Sequence, residues 1–123
     1  RPWQIALRHP RREPSEPLGV LSLSNALLAV SGDYEHFFAT DGRRYHHIID
    51  PRTGWPVENG VAEVVLCLPP EDPEAGLNAD ILSTALFVLG EDGVSLLPDG
   101  ASALFVNADG TITAYGVPLS VTP

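Results

Sequence analysis

The pattern of apolar and polar positions divides the chain into short strands and one helix. Trp3, Ile5 and Leu7 alternate with polar or small residues, so residues 3–8 read as a half-buried strand. A polar loop punctuated by proline covers residues 9–17. Two apolar runs follow at 18–23 and 26–30, joined at Ser24-Asn25 in the manner of a hairpin, and Ser31-Gly32-Asp33 ends the second. Residues 37–39 and 45–49 flank Asp41-Gly42, a two-residue hairpin signal because both positions tolerate positive φ. Asp50-Pro51-Arg52-Thr53-Gly54 reads as a turn, proline presetting φ and glycine closing it.

Residues 61–68 form another strand, closed by Pro69-Pro70 and an acidic loop. The period then changes. Residues 78–89 read as a helix with Gly90 as its C-cap, apolar nearly all round and so expected to be buried. A short helical turn is expected at 93–97, and a last hairpin pairs 101–106 with 111–115 around Asn107-Ala108-Asp109-Gly110. The class is α+β: an antiparallel-rich sheet with one buried helix.

Composition adds an ordinary globular balance, 44% apolar and 19% charged over 123 residues, which suits one domain. No apolar run approaches the roughly 18–20 residues that span a bilayer. The single cysteine, Cys67, lies in an apolar stretch and excludes a disulfide framework within the chain. Charge is sharply segregated. All seven cations are arginines within residues 1–52, beside six acids, whereas residues 53–123 hold ten acids and no Lys or Arg. A surface so acidic repels phosphate backbones, which argues against nucleic-acid binding. With no methionine and no apolar leader, the chain reads as a piece of something longer.

Two segments carry candidate chemistry. In NADILSTALFVLG (78–90), Asp80 and Thr84 are four apart and share a helical face, offering the hard oxygen donors that Mg²⁺ prefers. On the residues alone the commoner use of such a pair is structural, with Asp80 capping the helix and Thr84 bonding back to the Asp80 carbonyl. In HHIIDPRTG (46–54), His46 and His47 point to opposite sides of a strand, so one of them can face a given site as a base. Arg52 at the turn tip either grips a phosphate or lies in solvent. No GxGxxG, Walker loop, CxxC pair or GxSxG elbow is present.

Together, SLSNALLAVSGDY (22–34), RRYHHIIDPRTGWPV (43–57) and NADILSTALFVLG (78–90) resemble, in order and spacing, the C-terminal half of the ApbE-like FAD:protein FMN transferases. The resemblance covers nearly the whole chain, and its specificity lies in HxxDPxTG and DxxxT occurring together. It implies that residues 1–123 are the C-terminal portion of a flavin transferase domain whose N-terminal half is absent. The implied reaction is Mg²⁺-dependent: FAD, the substrate, is split at its pyrophosphate, FMN passes to a Thr or Ser hydroxyl of an acceptor flavoprotein, and AMP is released. Some members hydrolyse FAD instead. The metal falls on Asp80 and Thr84, with a third ligand from a carbonyl of the N-terminal half. His47 becomes the candidate base, and Ser31, Gly32 and Arg52 the candidates at the flavin cofactor.

Two departures from the family stand out. Ile81 replaces the usual alanine and would crowd the site, and the N-terminal half of the cleft is missing, so the isolated chain is expected to fold without turnover. The implied parent is bacterial and periplasmic or membrane-anchored, a cytoplasmic parent remaining open. The rival reading is a non-catalytic flavin-binding or assembly module for a redox enzyme.

Overall fold

The computed structural model describes residues 1–71 and 73–123. Its strands are β1 (Trp3–Leu7), β2 (Gly19–Leu23), β3 (Leu27–Gly32), β4 (Phe37–Thr40), β5 (Arg43–His46), β6 (Ile49–Asp50), β7 (Trp55–Pro56) and β8 (Val61–Leu68). The helix α1 (Ala75–Leu89) follows, continued by a 3₁₀ segment at Gly90–Leu96, and then β9 (Ser102–Asn107), β10 (Ile112–Gly116) and β11 (Ser120–Thr122). Every strand pairing is antiparallel. The α+β class with one helix is what the sequence leads one to expect.

Strand β8 is the centre of the molecule. All eight of its residues are buried, because the four-stranded sheet β10-β9-β8-β3 is covered on both faces. A strand so placed needs no polar face, and VAEVVLCL is accordingly almost continuous in apolar residues. Val64, Leu66 and Leu68 join Ala103 and Phe105 of β9 in a core closed by Ala79, Leu86 and Phe87 of α1. Val65 and Cys67 face the other way with Leu104, against Leu7 and Leu21 of the second sheet, β1-β2-β11. The period of two thus separates two cores, one on each side of β8.

Several local expectations hold. Asp41 and Gly42, at φ 50 and 75, close the β4–β5 hairpin with Phe37 opposite His46. Gly90, at φ 63, caps α1 and returns its N–H to the Leu86 carbonyl. The final hairpin pairs Val106 with Ile112.

Others are corrected. Residues 18–23 and 26–30 do not form a hairpin. β2 is flanked on both edges by β1 and β11, so β3 joins the other sheet beside β8. Asn25, at φ 48, makes the corner between the two layers. The expected strand at 45–49 breaks after His46 and resumes at Ile49 to pair with Pro56. The helix starts earlier, at Ala75, and only one side is covered: Leu77 and Ile81 are 61% and 59% exposed. Its many apolar residues therefore exceed what the sheet can bury. β11 was not foreseen. The acidic loop after Pro70 includes residue 72, which lies outside the described residues. Among the described residues no helix is long and apolar enough to cross a membrane.

One polar group interrupts β8. Glu63 is 1% exposed, hydrogen-bonded to Tyr34, and its Oε2 has no partner among the described residues. Burial pushes its pKa up to about 7, the Tyr34 hydrogen bond and the Arg8 charge pulling the other way. The folded protein then keeps a proton that the unfolded chain loses near pH 4–5, so this residue's contribution to stability falls as pH rises toward 7 and levels off above it. Glu63→Gln should remove that loss. In urea melts the variant's advantage over the unmutated chain should grow from little near pH 4.5 to on the order of 3 kcal/mol by pH 8. Parallel stability profiles would show that Glu63 does not titrate in this range.

Candidate functional site

The site forms where β3, the segment after β5 and the outer face of α1 meet. β3 ends with Ser31 and Gly32, the latter paired with Glu63 of β8. The close approach of an aromatic ring explains the glycine: a Cβ there would lie 2.5 Å from the Tyr34 ring. The chain is then anchored at Asp33, whose N–H donates to the Ala62 carbonyl (3.0 Å) and whose carboxylate receives both Arg11 amino groups at 2.6 Å.

The two histidines separate as the alternation predicts, although the strand is interrupted between them and Ile49. His46 is buried with its ring edge on Phe87. Its Nδ1 accepts the Ile48 N–H (3.3 Å), which leaves Nε2 to donate to the Val57 carbonyl (2.9 Å). Both ring nitrogens are thereby spent on the fold. His47 is exposed, its backbone N–H held by the His36 carbonyl (3.1 Å) and its ring edge-on to His36 at 5.4 Å.

Asp80 and Thr84 lie on the solvent side of α1, and neither is at its start. With the helix beginning at Ala75, Asp80 is too far inside to cap it, so the capping alternative falls. Back-bonding is present but long, 3.4 Å from Thr84 Oγ1 to the Asp80 carbonyl. Ser83, on the buried side, donates to the same carbonyl at 3.0 Å. Ser31 Oγ lies 2.9 Å from Ser83 Oγ and 3.1 Å from Thr84 Oγ1, tying β3 to the helix.

Ser31, Gly32, His47, Asp80 and Thr84 all line one cavity of about 330 Å³, with Glu35 at its wall. A wider groove of about 640 Å³ adjoins it, sharing Glu35, His47 and Ile49, and is walled by Phe37, Phe38, Tyr45 and Trp55. Arg52 does not line this cavity. Its guanidinium forms a two-pronged pair with Asp50, Nε to Oδ1 at 2.9 Å and Nη2 to Oδ2 at 2.8 Å, holding that carboxyl below its usual pKa. Nor does Ile81 crowd it, since that side chain faces solvent outside the cavity. Glu35 and Ser83 are the residues that sequence reasoning left without a role. A serine beside the DxxxT threonine was the available signal for one, and Glu35 gave none.

Among the described residues no cluster of three or more His, Cys, Asp or Glu is assembled. The oxygen donors lining the cavity are the carboxylates of Asp80 and Glu35 and the hydroxyls of Ser31 and Thr84, hard oxygens of the kind that suits Mg²⁺ and not a tetrahedral zinc centre.

The sequence profile of the ApbE family matches residues 1–105. The chain is 40% identical to the FAD:protein FMN transferase of Treponema pallidum over 115 residues, 91% of this chain and 30% of that protein. It is 41% identical to that of Haemophilus influenzae over 93 residues, 75% of this chain and 25% of that protein. Among solved structures, the ApbE protein of Thermotoga maritima superposes with a TM-score of 0.72 at 39% identity, covering 91% of this chain and 35% of that one. The apo flavinyl transferase ApbE of Pseudomonas stutzeri gives 0.62 at 36% identity, covering 93% and 34%. The chain therefore spans about a quarter to a third of the relatives it matches.

The contact between Gly32 and Tyr34 is directly testable. Gly32→Ala should force the Tyr34 ring off its seat and cost about 1–3 kcal/mol in denaturant stability, a usual cost of overpacking. An unchanged urea midpoint would mean that the ring yields freely.

Proposed function

The chain belongs to the ApbE family, and from that premise we propose that it is the C-terminal part of a FAD:protein FMN transferase, supplying the metal-holding and proton-accepting side of the active site. The observation that carries this reading is convergence: residues 31, 32, 47, 80 and 84, from three separate stretches of sequence, line one cavity.

In this reading an acceptor threonine or serine hydroxyl attacks the phosphorus on the riboflavin side of the FAD pyrophosphate. The oxygen–phosphorus bond to the acceptor forms, the bond to the bridging oxygen breaks, and AMP leaves with that oxygen. The hydroxyl proton passes to a ring nitrogen of His47, which lines the cavity and, unlike His46, has no ring nitrogen bonded to the backbone among the described residues. Asp80 and Thr84 would hold the Mg²⁺, completed by a ligand from the rest of the polypeptide. When bound, that ion neutralises charge building on the phosphoryl group and on the departing AMP. The adjoining groove, walled by Phe37, Trp55 and the stacked pair Phe38 and Tyr45, offers the flat flavin an aromatic wall. Arg52, paired with Asp50 through Nε and Nη2, would reach a phosphate with its remaining guanidinium hydrogens.

The tests belong in the complete polypeptide, with AMP release from FAD as readout; a binding or assembly module would release none. His47→Ala should lower turnover about 10²–10⁴-fold while FAD affinity changes far less. His46→Ala should instead lose stability and leave the rate per folded molecule nearly intact. A larger rate defect at His46 would put the base elsewhere. Asp80→Asn should retain the fold and lose most Mg²⁺-dependent turnover, because the amide keeps the shape without the charge. Unchanged Mg²⁺ dependence would remove Asp80 from the metal site.

A further inference from the structure

The hydroxyls of Ser31, Ser83 and Thr84 form a relay whose direction follows from counting protons and comparing distances. Each hydroxyl has one hydrogen to give. Ser83, 1% exposed, gives its hydrogen to the Asp80 carbonyl at 3.0 Å. The 2.9 Å contact between Ser83 and Ser31 must then be donated by Ser31. With that hydrogen spent, the 3.1 Å contact between Ser31 and Thr84 must be donated by Thr84. If Thr84 turned instead to the Asp80 carbonyl at 3.4 Å, two oxygens would face each other at 3.1 Å with no hydrogen between them. The reverse order, Ser83 to Ser31 to Thr84 to the carbonyl, would leave the 3.0 Å contact of Ser83 with the carbonyl without a hydrogen. The order Thr84 to Ser31 to Ser83 to the Asp80 carbonyl leaves only the longer 3.4 Å contact empty and is the better one.

We propose that Ser83 is a positioning residue: by ending this relay on the Asp80 carbonyl it commits the Thr84 hydrogen to Ser31 and leaves the lone pairs of Thr84 Oγ1 free for a divalent cation. This rests on the reading of Asp80 and Thr84 as Mg²⁺ ligands. The consequence is specific. In Ser83→Ala the Ser31 hydrogen has lost its acceptor and turns to Thr84 Oγ1, occupying a lone pair and driving the Thr84 hydrogen elsewhere. A buried partner of a ligating group typically contributes about 10–100-fold in metal affinity, which is the loss expected here.

The experiment measures Mg²⁺ affinity in the complete polypeptide without FAD, from the rise in melting temperature as Mg²⁺ is added. Ser83→Ala should bind Mg²⁺ about 10–100-fold more weakly at an unchanged metal-free melting temperature, alanine being well suited to a helix. The double variant Ser31→Ala/Ser83→Ala should regain part of the loss, because the misdirected hydrogen has gone too. Mere loosening of the helix predicts the opposite, a double variant no better than the single one. Unchanged affinity in Ser83→Ala, or no recovery in the double variant, overturns the relay while leaving the metal reading intact. If the unmutated protein gains no stability from Mg²⁺, the metal reading itself fails and the relay with it.

Discussion

Burial of β8 on both faces is the constraint on which the rest of the structure depends. An eight-residue strand with no solvent face demands a cover on each side, and the chain provides one with α1 and the other with β1, β2 and β11. Its neighbours are fixed in turn: β9 on one edge, β3 on the other, in registers that leave little freedom because a slip of one residue would exchange the two cores. Phe87 and Phe105, both fully buried, close the helix side, and removing either ring would cost about 3–5 kcal/mol.

The position of the candidate site follows from that packing. α1 lies against both β3 and β8, so its outer face runs past the end of β3, where Ser31 meets Ser83 and Thr84. The same layer contact that buries Ala79, Ser83 and Leu86 leaves Asp80 and Thr84 at the solvent boundary. His47 arrives from a different direction, carried by a chain that His46 nails to the Val57 carbonyl and Phe87. One histidine is thus structural so that the next can be exposed. Sequence neighbours divide the labour because alternate residues face opposite ways.

Legibility in the sequence tracks how local each decision is. The Asp41-Gly42 turn and the Gly90 cap are set by backbone preferences of one or two residues, and both were readable. The pairing of β3 was not, because its choice between β2 and β8 depends on β11, a three-residue strand some ninety positions away that already occupies the edge of β2. Hydrophobicity misled in α1, where Leu77 and Ile81 are apolar yet exposed and nothing local distinguishes them from Leu86. For the site, the spacing of Asp80 and Thr84 was readable as a shared helical face. Their meeting with Ser31 and His47 was carried by the family resemblance, because no periodicity reports which strand a helix crosses. Glu63 is a lone acid in an apolar run that the strand reading passed over, and its proximity to Tyr34 emerges only from the geometry. Arg52 was readable as the tip of a turn, and its commitment to Asp50 emerges only from the geometry.

Cys67 sits in the middle of this arrangement, on the strand both cores share. It is the chain's only cysteine, it is buried, and desolvation pushes its thiol up to about 11. At neutral pH it is neither a thiolate nor within reach of a reagent, so alkylation waits for the layers around β8 to part. The rate at which a thiol reagent labels this protein is therefore a clock for the opening of its central strand, and any ligand that steadies the two cores will slow that clock without touching the sulfur.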